Sequence, residues 1–240
     1  MKSVSVCISV FGFSQYLEEQ LRSIFVQSHK IKELVVVEDY SNSPSPYNFL
    51  SSLCSKYNVV LNYKLLSKNV GPAEAFRIAC MRSSGDVVFF CDHDDIWRFD
   101  RVALALDKHR DYEMVVCNGF IFTDASDLAS GTNLTKVYNS KPCSNCLKII
   151  IRNVLVGATI SVDGNLIRSL SGNFQFTPMH DWNLCAYFAM KNKPIAFIDD
   201  SLIMYRRHNA TFTGRSNNSI LKRIRFRLIL LKFMWHVLCD

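Results

Sequence analysis

Apolar and polar positions fall into alternating blocks along the first half of the chain. Val4 to Val10 reads as a continuous apolar run, as expected of a strand buried on both faces of a sheet. Ser14 is placed to cap a helix over Gln15 to Gln27, with Glu18 and Glu19 near its positive end. Leu34 to Val37 is a second β-branched run, closed by Glu38 and Asp39, and Asn58 to Leu66 is a third candidate strand. Pro72 suits the first turn of a helix that runs to about Arg82, with Gly85 ending it. Asp86 to Cys91 is a fourth strand, again closed by acids, followed by a helix near Arg101 to Arg110 and a strand over Met114 to Phe122. This β-α-β-α order predicts an α/β fold with a Rossmann-like, mostly parallel sheet flanked by helices on both faces.

Beyond this the pattern loosens. Thr123 to Asn145 is polar, rich in Ser, Asn and Asp, and reads as a long loop or an insertion. Val154 to Val162 looks like a strand, Trp182 to Lys191 like a helix and Ile195 to Tyr205 like strand-forming sequence. The last segment is helical in period. At about 100° per residue, Ile220, Ile224, Leu228, Leu231, Trp235 and Leu238 fall on one stripe.

Composition narrows the class. The chain has 240 residues, 49% hydrophobic and 20% charged, which suits a folded domain and excludes wholesale disorder. No run of eighteen apolar residues lacks charges, so no transmembrane helix is expected, and no small-residue cleavage site suggests a signal peptide. Nine irregularly spaced cysteines, several inside apolar runs, read as reduced thiols in the cytoplasm rather than a disulfide framework. Cys143 and Cys146 form the one CxxC pair, which without further ligands reads as a polar loop. Most of the net charge of +7 belongs to the tail, where six basic residues from Arg215 onward face one acid. The basicity is a segment's property, so no nucleic-acid partner is expected.

Candidate chemistry sits where strands end. In an open parallel sheet, ligands bind beyond the carboxyl ends of the strands. One strand there ends in Glu38-Asp39 and another in Asp92-His93-Asp94-Asp95. Three acids within four residues repel one another unless a cation or hydrogen-bond donors compensate. They could hold a hard divalent ion that bridges to phosphates, or form an acidic turn that caps the next helix. There is no Gly-rich P-loop and no GxGxxG after the first strand, so a bound diphosphate would need a metal to neutralise it.

The pattern as a whole resembles family 2 glycosyltransferases of the GT-A fold. The likeness covers Val4 to Gly214. It rests on Ser3 to Val10, Tyr16 to Ile24, Val37-Glu38-Asp39-Tyr40-Ser41, Asn69-Val70-Gly71 and Ser84-Gly85-Asp86-Val87-Val88-Phe89. Phe90-Cys91-Asp92-His93-Asp94-Asp95-Ile96-Trp97 is similar to the DxDDxW signature of the rhamnosyltransferase-like branch. His180-Asp181-Trp182 and Tyr205-Arg206-Arg207-His208-Asn209 look like that branch's later motifs. Three positions depart from the pattern: His93 stands where Gln is common, Tyr40 where Gly is expected, and Val10-Phe11-Gly12-Phe13 replaces the usual polar strand end.

The resemblance implies an inverting, metal-dependent transfer from a nucleoside-diphosphate sugar, with dTDP-rhamnose a candidate, to an acceptor hydroxyl in cell-surface polysaccharide synthesis. It implies a GT-A domain over 1–215, with about 1–122 binding the nucleotide sugar and about 146–215 the acceptor. Asp94 would bind Mn²⁺ or Mg²⁺, with Asp92 and His208 as further metal contacts. Ser9, Val10, Glu38, Asp39, Asp92, His93 and Asp95 would line the donor and nucleotide site. Asp181 would be the catalytic base; its other reading is the N-cap of the helix that follows it, and the two roles are compatible.

Arg206 and Arg207 could neutralise diphosphate or be solvated, and Trp97 reads as a packing residue. Residues 216–240 form a basic helix that reads as a peripheral anchor on the inner face of the cell membrane, or as a terminal helix packed on the domain. The membrane reading suits a lipid-linked acceptor as well as a glycan. Two rivals remain from the residues alone. A sugar nucleotidyltransferase would carry a basic residue in a Gly-rich loop after the first strand, and Val10 to Ser14 has none. A non-catalytic adaptor using the basic tail would not need Asp92, Asp94 and Asp181 together.

Overall fold

The computed structural model describes residues 1–123, 132–207 and 220–239. Its elements run β1 (Val4–Val10), α1 (Leu17–Phe25), β2 (Glu33–Glu38), α2 (Tyr47–Tyr57), β3 (Val60–Leu65), α3 (Pro72–Arg82), β4 (Val87–Cys91), β5 (Ile96–Trp97), α4 (Arg101–Lys108) and β6 (Met114–Phe122). They continue with β7 (Thr132–Asn133), α5 (Leu134–Tyr138), α6 (Cys146–Ile151), β8 (Ile160–Asp163), α7 (Gly164–Asn173), α8 (His180–Met190), β9 (Ala196–Arg206) and α9 (Ile220–Cys239). One sheet holds these strands in the order β3-β2-β1-β4-β8-β6-β9-β5, with β7 paired to β6. Strands β3, β2, β1, β4, β6 and β9 run the same way, and β8 lies antiparallel between β4 and β6.

Period-two alternation sorts the core into two layers. Cys7, Val35, Val37, Val88 and Phe90 face α3, α7 and α8. Val6, Ile8, Val36, Phe89 and Cys91 face the opposite side, with Leu21 of α1, Leu50 of α2 and Val102 of α4. Both faces of the central strands are therefore buried, which is why β1, β2 and β4 read as unbroken apolar runs.

Several local expectations change. Helix α1 is shorter than the spacing predicts, and Ser14 is not its cap. Ser14 Oγ instead accepts from the Tyr16 N–H one turn earlier. Gly85 does not end α3, whose C-cap is the extended Ser83. Its small size serves a close approach, since a Cβ there would lie 2.6 Å from the backbone nitrogen of Ser5. The strand expected over Val154 to Val162 is confined to β8, because residues 157–159 form a tight helical turn. The polar middle segment is not all loop: it holds β7 and α5, with Leu134 buried. All nine cysteines are free thiols.

The C-terminal helix differs most. It packs on α8 and α6 through Leu230, Phe233, Met234 and Val237, with the Phe233 ring against Phe174 at 5.5 Å. That is a second stripe. The stripe expected from the sequence, Ile220 to Leu238, remains exposed.

Candidate active site

The strand order creates a crevice. From β1 the chain builds outward to β2 and β3 on one side, then crosses back to place β4 on the other. Ligands of open α/β sheets bind at such a reversal. Here the ladder geometry opens it physically. Pairing of β1 with β2 continues to Val10 and Glu38, whereas pairing of β1 with β4 stops at Ile8 and Cys91. Ser9 and Val10 on one lip and Asp92 on the other therefore diverge.

The two acidic strand ends behave differently. At β2 both carboxylates are engaged. Asp39 accepts from the N–H groups of Val70 and Gly71, both at 2.8 Å, and so grips the loop leading into α3. Glu38 accepts from the hydroxyls of Ser45, at 2.7 Å, and of Tyr63. Both residues are buried. Around them Phe11, Phe13, Tyr40 and Tyr47 form an exposed aromatic rim. Gly12 between the two Phe residues has φ of +75°, and a Cβ there would lie 2.5 Å from the Ser43 Cβ, so this turn requires glycine.

At β4 the acids repel. Burial, reinforced by the negative charges of Asp94 and Asp181, pushes the Asp92 carboxyl up to about 7. Asp95 is fully buried and pushed well up by burial and by Asp92 and Asp94. Its Oδ1 accepts from the Arg206 N–H at 3.1 Å, while Oδ2 has no hydrogen-bond partner. Asp92 and His93 are half-buried and Asp94 is buried. Thus Asp94, in the same turn after β4, and Asp181, on α8, both act electrostatically on Asp92 at the crevice.

Helix α8 is docked there by its first residue. His180 stacks on Phe90, two residues before Asp92, at 4.9 Å and 15°, and also meets Phe76 at 4.4 Å. Burial lowers its pKa, which favours the neutral ring. The ring lies over Gly157, where a Cβ would come within 2.4 Å of Nε2. Asp181 is in the first turn and is not the N-cap, a position held by Met179. Its Oδ1 accepts from the Trp182 N–H at 2.8 Å, and Trp182 Nε1 donates to the Ile149 carbonyl at 2.6 Å.

Two positioning groups escaped the sequence reading. Gln20 of α1, fully buried, donates to the Asp92 carbonyl. Arg206, which pattern alone left as a diphosphate contact or a solvated side chain, is buried. Its Nε donates to the Asp94 carbonyl at 3.0 Å and its Nη2 pairs with Glu19 at 2.6 Å. The guanidinium lies between the rings of Tyr16, at 4.4 Å, and Phe122, at 4.5 Å. Arg206 therefore clamps the acid loop between α1 and β9. Trp97 is a packing residue as expected, buried against Phe89 and under the guanidinium of Arg101 at 3.8 Å. His208 lies outside the described residues.

The donor set suits a hard divalent cation. It includes the carboxylates of Asp92 and Asp94, hard oxygen donors whose crowded negative charge a cation would relieve. Among the described residues no three acids, histidines or cysteines stand in metal-holding geometry. Asp94 and Asp92 would therefore leave the remaining positions to water and phosphate oxygens, the usual manner of Mg²⁺.

A mixed α/β sheet with an acid cluster at its point of reversal defines the GT-A class of fold. Residues 5–208 match Glycosyl transferase family 2, and the chain belongs to that family. It is similar to the putative teichuronic acid biosynthesis glycosyltransferase TuaG of Bacillus subtilis, with 29% identity over 162 residues, 67% of this chain and 62% of that protein. The chain therefore spans under two thirds of that relative. Among solved structures, TarS 1-349 of S. aureus in complex with UDP-GlcNAc superposes with a TM-score of 0.69 at 16% identity. That match covers 95% of this chain and 66% of TarS 1-349. The mannosyltransferase PcManGT of Pyrobaculum calidifontis, in complex with GDP-Man and Mn²⁺, superposes with a TM-score of 0.65 at 20% identity, covering 89% of this chain and 58% of that one. At these identities the structural likeness concerns the fold. The family match leaves neither the nucleotidyltransferase nor the adaptor reading with support.

Proposed function

We propose that this protein moves a sugar from a nucleoside-diphosphate sugar to an acceptor hydroxyl, with inversion and with a divalent cation. The observation that supports this reading is that Asp92, at the point where the β1–β4 ladder ends, is acted on by both Asp94 and Asp181. Asp94 and Asp92 would hold the cation, with His208 as a further contact. A cation bound there supplies positive charge to the departing diphosphate without a proton donor. Ser9, Val10 and Asp39 line the base and ribose pocket, and Glu38 braces it through Ser45 and Tyr63. His93 and Asp95 complete the donor side, Asp95 by fixing the loop through Arg206.

In the transfer, the acceptor oxygen attacks the anomeric carbon. A new C–O bond forms as the bond to the diphosphate breaks, Asp181 takes the acceptor's proton, and the nucleoside diphosphate leaves. The N-terminal part, about 1–122, serves the donor, and about 146–215 serves the acceptor. A role in cell-surface polysaccharide synthesis at the inner face of the membrane, on a glycan or lipid-linked acceptor, belongs to the same reading; the relative TuaG is named for teichuronic acid biosynthesis.

The test is thermal stabilisation by UDP, GDP and dTDP and by their sugars, each with Mn²⁺, with Mg²⁺ and with chelator. Ligands of the native state raise its apparent stability in step with affinity. A metal-dependent shift with one base supports the reading, and a shift confined to dTDP and dTDP-rhamnose supports the rhamnosyltransferase-like donor. A folded protein that responds to none of these ligands contradicts it.

A further inference from the structure

Helix α9 carries two apolar faces with different fates. Leu230, Phe233, Met234 and Val237 are buried against the domain. Ile220, Ile224, Leu228, Leu231, Trp235 and Leu238 are between 43% and 75% exposed. At about 100° per residue the two faces are centred roughly 125° apart, so packing the first turns the second outward.

The exposed face has basic borders. Arg223 and Arg227 flank one side of it, Arg225 and Lys232 the other, and no acid occurs from Ile220 to Cys239. Helix α6 widens the surface. Leu147 and Ile151, one turn apart, are 72% and 63% exposed, and the Arg227 guanidinium donates to the Ile151 carbonyl. The same short helix meets the site, because its Ile149 carbonyl accepts from Trp182, the neighbour of Asp181.

We infer that α6 and α9 together form a platform that lies on an anionic lipid bilayer, with the acceptor end of α8 held beside it. The commitment to lipid rests on charge. An apolar stripe bordered on both sides by Arg and Lys, with no acid, suits phosphate headgroups above an acyl layer. Among the described residues no helix is long and apolar enough to cross a membrane, so the contact is peripheral. One consequence rests on the transferase reading: an acceptor anchored in the bilayer reaches Asp181 more readily than the same acceptor free in water.

The tryptophans make the platform measurable in the unaltered protein. Trp97 and Trp182 are buried, at 3% and 6%, and Trp235 is 65% exposed. A change in tryptophan emission on adding vesicles therefore reports Trp235. With phosphatidylglycerol-containing vesicles, the emission shifts to the blue and the protein floats with the lipid; with phosphatidylcholine alone, both effects are weaker. Replacing one border residue, as in Arg225→Ser, weakens anionic-vesicle binding about fivefold. Leu228→Glu and Ile151→Glu each weaken it about tenfold or more. These positions are exposed, so the fold survives, and thermal stabilisation by nucleotide is unchanged.

Three outcomes overturn the inference: no shift and no flotation with either vesicle, equal binding to both vesicles, or a blue shift that grows with protein concentration without lipid. The last assigns the face to a second copy of the chain. None of these readouts uses a donor sugar, so failure here is distinct from failure of the transferase reading.

Discussion

Two strand ends on either side of β1 treat their acids in opposite ways. At β2 each carboxylate is answered: Asp39 by two backbone N–H groups, Glu38 by two hydroxyls. At β4 burial, reinforced by the charges of Asp94 and Asp181, pushes Asp92 up to about 7. Answered acids build framework, while acids left in mutual repulsion mark where a cation and phosphate belong. The same residue type at the same topological edge thus serves support at one strand and chemistry at the next.

Substitutions sharpen this contrast, beginning with the largest effect. Asp181→Asn keeps the size and the contact with the Trp182 N–H but removes the base. Turnover falls about a hundred- to ten-thousandfold while nucleotide binding persists. Steady-state kinetics beside a binding titration read both, and near-normal turnover removes Asp181 from the mechanism. Arg206→Ala dissolves the clamp on Asp94 and the stacking between Tyr16 and Phe122. It costs about 2 kcal/mol in a denaturant melt and weakens metal-dependent nucleotide binding more than Arg206→Lys does.

The next pair should differ in sign. Asp39→Asn presents an amide to one of two backbone donors that a carboxylate satisfied, so stability falls by about 1–3 kcal/mol. Asp92→Asn does the reverse in a pH-dependent way. The folded Asp92 carboxyl titrates above its unfolded counterpart, so the folded state holds the proton longer. Stability is then lost as pH rises from the ordinary carboxylate range through about 7. Asp92→Asn therefore raises Tm by several degrees at pH 8 and leaves it nearly unchanged at pH 4. Equal shifts at both pH values would show that the folded Asp92 carboxyl does not titrate above its unfolded counterpart. Smaller still, Gly157→Ala forces the His180 ring aside and lowers turnover more than it lowers Tm.

Legibility in the sequence followed the range of the physics. Strands β1, β2 and β4 and helix α3 were readable because their signals are local: apolar runs, closing acids and Pro72 at a first turn. The acid cluster was readable for the same reason. Gln20 and Arg206 were not, because their partners lie 72 and 112 residues away and nothing beside them marks the contact. Ser14 misled because a capping residue type also suits the turn ahead of a helix. Helix α9 was read with one apolar stripe, since a single period was sought. The second stripe became visible only once Leu230, Phe233 and Val237 met α8 and α6.

The account depends most on Asp94 as the carboxylate that makes nucleotide binding metal-dependent. Isothermal titration of the stabilising nucleoside diphosphate, with Mn²⁺ present, into the unaltered protein, Asp94→Ala and Asp181→Asn tests this directly. The account predicts that binding persists in the unaltered protein and in Asp181→Asn and is lost in Asp94→Ala. Equal binding by Asp94→Ala would contradict it.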